Sequence, residues 1–256
     1  FARAHTRGAH SRTTMNLKDI ITSFKTSRGY TRIIPRAALF DMDGTLYDSM
    51  PGHAYAWMKM CDEAGLQATP DDFFMAEGRT GADTIEMLFR RNYGRSATAD
   101  DVERLYAIKS ANFRALPPVQ LMPGAQEAVG ACMNAGLTTV LVTGSGQSSL
   151  IERLATDYPG AFSLKVSSRD VRHGKPRPEP YIRAMQMAAV EPWEAIVVEN
   201  APLGVQSGVA AGVFTIGVAT GLPPQVLAEA GADVVFTSMP ECAAAMPQLL
   251  EALRNA

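Results

Sequence analysis

Asp41 and Asp43 stand two residues apart, directly after the apolar run Ala37-Ala38-Leu39-Phe40 and just before Gly44-Thr45. A strand alternates its side chains with period two, so both carboxylates leave the same side of an extended chain at its carboxyl end. Gly44 lets the backbone turn sharply at that point. Two acids so close repel each other, which calls for a cation or a proton between them. The layout suits Asp41 as a nucleophile toward phosphorus and Asp43 as the group that protonates a leaving group and then takes a proton from water. The alternative for the pair taken alone is a surface turn. A Ca²⁺-binding loop fails, because Asp48 is the one later acid in the loop and no Glu closes it.

Three further groups carry compatible chemistry. Thr143 follows the run Thr138–Val142 and opens Gly144-Ser145-Gly146-Gln147, where a hydroxyl and backbone N–H groups at a helix start form an anion site. Lys175 stands between Gly174 and Pro176, in a loop stiffened by Pro178 and Pro180. Its ammonium suits the charge of an aspartate and a transferring phosphoryl group. Glu199 and Asn200 close the run Ala195–Val198 and offer an acid and an amide oxygen to Mg²⁺. Each has a plainer alternative: a Gly-Ser turn, a solvated lysine, a strand-to-helix turn.

The elements that must position these groups are legible as alternating runs. Strands are expected at Ala37–Phe40, Thr138–Val142, Leu164–Val166, Ala195–Val198, Val213–Val218 and Asp233–Phe236. Most are apolar throughout, as strands buried on both faces of a parallel sheet are. Helices are expected between them, at Ala125–Ala135, Ser148–Thr156, Pro178–Ala189 and Leu203–Ala211. That order predicts a doubly wound α/β core. Between Met50 and Pro118 the alternation stops. Helical patterns at His53–Ala64, Asp71–Met75, Ala82–Tyr93 and Ala99–Leu116 predict an inserted helical cap over the catalytic edge. Leu17, Ile20, Ile21 and Phe24 fall at helical spacing and predict a short amphipathic helix ending near Gly29. The expected division is a tail and extra helix at 1–31, a core at 32–49 and 119–256, and a cap at 50–118.

Composition narrows the class. The 256 residues are 46% hydrophobic and 20% charged, ordinary for a globular protein. A net charge of -2 argues against nucleic acid or an acidic membrane as partner. Cys61, Cys132 and Cys242 are scattered and odd in number, against a disulfide framework or zinc site and for a reducing cytoplasm. No apolar run is long enough to span a bilayer. Phe1 to Thr14 holds Arg3, Arg7 and Arg12 and no acid. It lacks the apolar segment of a secretory signal and is expected to be a disordered tail, with Met15 a possible start.

Taken together, and in this order, the four pieces give a resemblance to the haloacid dehalogenase-like (HAD) phosphotransferase superfamily, from about Arg36 to about Met246. They are Asp41-Met42-Asp43-Gly44-Thr45, Thr143, Lys175 and Glu199-Asn200. The helical insert is similar to the family's first type of cap. Within the superfamily the chain resembles the β-phosphoglucomutase-like branch, and the HAD-type inorganic pyrophosphatases in it, through Glu77-Gly78-Arg79-Thr80-Gly81 and Val198-Glu199-Asn200-Ala201-Pro202-Leu203-Gly204. The resemblance implies Asp41 as nucleophile, Asp43 as general acid/base, and Thr143 and Lys175 around the transferring phosphoryl group with Gly144 and Ser145. It implies Mg²⁺ held by the Asp41 side chain, the Asp43 carbonyl and Asn200, with Glu199 a direct or water-bridged ligand. Many relatives carry Asp where this chain has Asn200. The amide removes a negative charge beside the metal and suits a more negatively charged ligand.

Substrate choice is expected to lie in the cap. Arg79 can clamp a distal phosphate bidentately beside Thr80, and Lys109 can add charge. His53 is spaced as in the mutase, where the matching His serves sugar transfer. A cap carboxylate, Glu77, would repel an anion unless a metal intervenes, which suits a metal–pyrophosphate complex better than a neutral sugar ring. Each has the alternative of a solvated charge, and Glu77 that of a helix N-terminal acid. The expected activity is Mg²⁺-dependent hydrolysis of pyrophosphate or another small phosphorylated metabolite. The alternatives are a β-phosphoglucomutase-like isomerase and a non-catalytic phosphate-binding relative. The protein is expected to be a monomer or weak dimer.

Overall fold

The computed structural model describes residues 16–145 and 148–256. The expectations for residues 1–14 and Met15, and the loop residues Gly146 and Gln147, lie outside them. Strand β1 (Ala37–Phe40) is buried along its whole length. It runs parallel to β2 (Thr138–Val142) and β4 (Ala195–Glu199), with Ala37 level with Thr138 on one side and Ala195 on the other. Adding β3 (Leu164–Val166), β5 (Phe214–Val218) and β6 (Val234–Phe236) gives a six-stranded parallel sheet of order β3-β2-β1-β4-β5-β6. The period of two sorts β1: Ala38 and Phe40 enter the apolar core on one face, Ala37 and Leu39 that on the other. Burial on both faces explains the unbroken apolar runs. The chain leaves β1 for β2 and β3 on one side and returns to β4 on the other. That puts the topological switch at the carboxyl end of β1, where ligands bind in such sheets.

Helices cover both faces, as the alternation predicts. They are α6 (Ala125–Asn134), α7 (Ser148–Asp157), α8 (Glu179–Ala188), α9 (Pro202–Ala210) and α10 (Pro224–Glu229), with boundaries of the expected helices shifted by a residue or so. The extra helix α1 (Leu17–Arg28) is capped by Asn16, whose side chain accepts from Asp19 N. It ends at Gly29 in the left-handed region and buries Ile21 and Phe24. One large element escapes sequence reading: α11 (Met239–Arg254) carries Pro247 in its interior yet buries Met239, Cys242, Met246, Leu249, Leu250 and Leu253. Its apolar face, laid on α6, outweighs the proline.

The insert consists of α2 (Met50–Ala64), α3 (Pro70–Met75), α4 (Gly81–Tyr93) and α5 (Ala99–Arg114). It has an apolar core of its own, built around Trp57, Met60, Phe73, Leu88, Phe89 and Leu105. Among the described residues no helix is long and apolar enough to cross a membrane.

Candidate active site

The carboxyl ends of β1, β2 and β4 bring the sequence-predicted groups together. Asp41 continues the ladder of β1, its N–H donating to Val198 O at 3.1 Å. Lys175 arrives from the loop before α8 and is fully buried. Its three ammonium protons have three partners: Asp41 Oδ1 at 2.5 Å, Glu199 Oε1 at 2.6 Å and Val142 O at 3.1 Å. Burial pulls the ammonium toward neutrality, but the charges of Asp41 and Glu199 reverse that and raise its pKa. Asp41 is pushed well above the usual carboxylate range. Burial is the largest cause, Lys175 opposes it, and Glu199 and Asp43 add repulsion.

Asp43 has a different environment. Its Oδ1 accepts from Ser49 Oγ at 2.6 Å and from His53 Nε2 at 3.0 Å. The other ring nitrogen, Nδ1, lies 2.7 Å from Lys109 Nζ. An ammonium can only donate, so the network assigns Nδ1 as acceptor and Nε2–H as donor to Asp43. His53 stacks on Phe113, with centroids 4.1 Å apart. Burial pushes Asp43 up, but His53, Ser49 and Lys109 outweigh it and hold the carboxyl below its usual value. Lys109 is lowered to about 8 by burial. His53 and Lys109 therefore form one buried chain ending on Asp43, rather than a pair of solvated charges.

The insert closes over this edge. Glu77 is buried, and its Oε1 accepts from Asn200 Nδ2 at 2.8 Å. Burial first, and then the charge of Asp41, raise the Glu77 carboxyl well above its ordinary range. The contact is tight: a Cβ at Gly44 would stand 2.1 Å from Asn200 Nδ2 and 3.0 Å from Glu77 Oε1. A Cβ at Gly144 would meet the Gly78 carbonyl oxygen at 2.6 Å. Between the two halves lies a cavity of about 70 Å³. Asp41, Asp43, Thr143, Gly144 and Ser145 line it from the core, and Glu77, Arg79, His53 and Lys109 from the insert. Lys175 and Asn200 stand behind this wall, bonded to Asp41 and Glu77, and Glu199 stands behind them, bonded to Lys175. The Arg79 Nε is the one buried side-chain nitrogen or oxygen without a hydrogen-bond partner among the described residues.

Two of the expected site residues are already engaged within the protein. Thr80 is not in the cavity wall: its hydroxyl accepts from Asp83 N and donates to Asp83 Oδ2 at 2.7 Å, capping α4. A threonine before a helix is better used on backbone N–H groups than on a ligand. Glu199 has no lone pair left for direct metal ligation in this arrangement. Its Oε1 accepts from Lys175 and Tyr181, and its Oε2 from the N–H groups of Asn200 and Ala201. Ser49, Trp57, Tyr106 and Tyr181 belong to the site or its support and escaped sequence reading; only fold geometry brings them there.

A divalent cation suits this edge. Asp41, Asp43, Glu77 and Glu199 share one buried corner, and burial first, then repulsion, raises Asp41 and Glu77. No three His, Cys, Asp or Glu side chains converge on one point among the described residues. Mg²⁺ does not need that, because it takes one or two carboxylates and completes its shell with carbonyls, water and substrate oxygens.

Comparison with known proteins agrees with the geometry. The family model for haloacid dehalogenase-like hydrolases matches residues 35–212. Validoxylamine A 7'-phosphate phosphatase of Streptomyces hygroscopicus subsp. limoneus is 32% identical over 212 residues, covering 80% of this chain and 95% of that protein. Hexitol phosphatase A of Escherichia coli is 31% identical over 180 residues, covering 70% of this chain and 81% of that protein. A Bacteroides vulgatus structure, provisionally assigned as a beta-phosphoglucomutase, is 44% identical with a TM-score of 0.90, covering 93% of this chain and 98% of that one. With the matched family model spanning the sheet edge and its four acid, hydroxyl and amine positions, the chain belongs to the haloacid dehalogenase-like hydrolases.

Proposed function

We propose that this protein is a phosphohydrolase working through an aspartyl-phosphate on Asp41, with inorganic pyrophosphate as its substrate and the helices of residues 50–118 as its cap. The observation that carries the reaction class is the Asp41 carboxylate, held by Lys175 at 2.5 Å and sharing one cavity with Thr143 and Asp43. A carboxylate oxygen of Asp41 attacks phosphorus, the bond from phosphorus to the leaving oxygen breaks, and that oxygen keeps the electron pair. Water then attacks the acyl phosphate, with Asp43 taking its proton and Asp41 returning as carboxylate. The hydroxyl of Thr143 and the loop at Gly144 and Ser145 receive the transferring oxygens. Mg²⁺, when bound by Asp41, the Asp43 carbonyl, Asn200 and Glu77, would neutralise negative charge on the transferring group.

Glu77 supports pyrophosphate over a sugar phosphate. It puts a third acid on the lining of a cavity of about 70 Å³, which suits a compact anion that brings its own cation. Arg79, with a buried donor unmet, faces the same space and suits the distal phosphate. Asp43 is held ionised, which suits a leaving phosphate that needs no proton better than a sugar alkoxide that does. A second reading, hydrolysis or isomerisation of sugar phosphates, is favoured by the names of the relatives and by His53 beside Asp43. Phosphate release with Mg²⁺ from pyrophosphate, β-glucose 1-phosphate and a panel of sugar phosphates separates the two. Turnover of pyrophosphate far above the panel is expected. Conversion of β-glucose 1-phosphate to glucose 6-phosphate without phosphate release would overturn the hydrolase reading.

A further inference from the structure

Tyr181 takes part in none of these steps, yet it is among the largest fully buried side chains in the protein. It lies in the first turn of α8, downstream of the Lys175 loop. A buried phenol must place its hydroxyl on a partner, because an unmet O–H in the core is costly. That partner is Glu199 Oε1, at 2.7 Å. The same oxygen accepts from Lys175 Nζ at 2.6 Å. The Tyr181 ring also faces the ammonium, with Nζ 5.2 Å from the ring centroid. Tyr181 therefore acts on Lys175 from two directions.

The ammonium is shared between two carboxylates, and the share each takes depends on how much charge each offers. With Lys175 as sole partner of Oε1, the full charge of Glu199 would draw the ammonium off Asp41. A second donor on that oxygen disperses part of the charge. Oε2 does not alter the balance, since the Asn200 and Ala201 N–H groups occupy it at 3.1 and 3.3 Å. We propose that Tyr181 is a positioning residue for phosphoryl transfer: its hydroxyl, acting through Glu199 Oε1, keeps the Lys175 ammonium on Asp41. This rests on the reading of Asp41 and Lys175 as the phosphoryl-transfer groups.

Tyr181→Phe keeps the ring and its packing and removes the hydroxyl. The expected result, with pyrophosphate and Mg²⁺, is a kcat lower by about tenfold and a KM changed by less than about twofold. Tyr30→Phe is the matched control. It removes a hydroxyl that donates to Gly212 O, at the opposite edge of the sheet, and should leave kcat and KM as they are. A wild-type kcat in Tyr181→Phe, a change confined to KM, or an equal kcat loss in Tyr30→Phe overturns the proposal. Asp41→Asn, assayed in parallel, separates the levels. Retained turnover there removes the phosphoryl-transfer reading itself. A dead Asp41→Asn beside an unaffected Tyr181→Phe removes only the role of Tyr181.

Discussion

The two walls of the cavity are built on opposite plans. On the sheet side, Asp41, Lys175, Glu199 and Tyr181 are closed on one another, with every ammonium proton and every Glu199 lone pair engaged. On the insert side, Arg79 keeps a buried donor without a partner among the described residues, and Glu77 is pushed toward its protonated form. The first wall is complete without a ligand. The second is complete only with one. Chemistry placed on a rigid, self-satisfied edge keeps its geometry between turnovers, while recognition placed on unmet groups gains its interactions when substrate arrives.

The contrast can be broken most sharply at its centre. Asp41→Asn should lower turnover by roughly four orders of magnitude or more while circular dichroism stays native. Activity near wild type would take the nucleophile out of the sheet wall. Next, Lys175→Met should cost about 3–5 kcal/mol of unfolding free energy, because it leaves two carboxylates buried without their cation. Urea titration reads this; a loss under about 1 kcal/mol would show that the sheet wall is not held by its charges. Arg79→Ala tests the other wall. It should leave stability within about 0.5 kcal/mol and lower kcat/KM for pyrophosphate by roughly 10–100-fold. Equal losses in stability and in kcat/KM would erase the contrast.

The smallest effect concerns pH. Glu77 holds its proton to a higher pH in the folded protein than in the unfolded chain. The folded state therefore binds more protons, and unfolding free energy falls as pH rises from the ordinary glutamate range through the raised value. Glu77→Gln should flatten that fall in metal-free buffer while lowering pyrophosphate turnover. Melting temperatures across pH 5–8 check the sign; an unchanged slope would place the Glu77 charge outside the balance.

What the sequence discloses about these walls follows from how local each signal is. The runs at β1, β2 and β3 appear where periodicity and apolarity place them, because strands buried on both faces write their burial into consecutive residues. Asn16 and Gly29 bracket α1 for equally local reasons. Asp41, Asp43, Thr143 and Lys175 are legible because each sits at a strand end or in a proline-stiffened loop. The partners of Glu199 are not: Tyr181 reaches it only through the packing of α8 on the sheet. The chain from Lys109 through His53 to Asp43 is hidden for the same reason, since α5 and α2 meet only in the folded insert. α11 is missed because its proline breaks a local rule that long-range burial against α6 overrides.

The approach of Gly144 to the Gly78 carbonyl carries a consequence for descendants of this chain. At this point the two halves can meet because neither glycine brings a side chain. A single methyl there would work as a doorstop, propping the lid ajar and loosening the Glu77–Asn200 contact beside it. Bulkier esters could then enter a site whose Asp41, Asp43 and Lys175 kept their places on the sheet edge, so that a change of diet would need no change of chemistry.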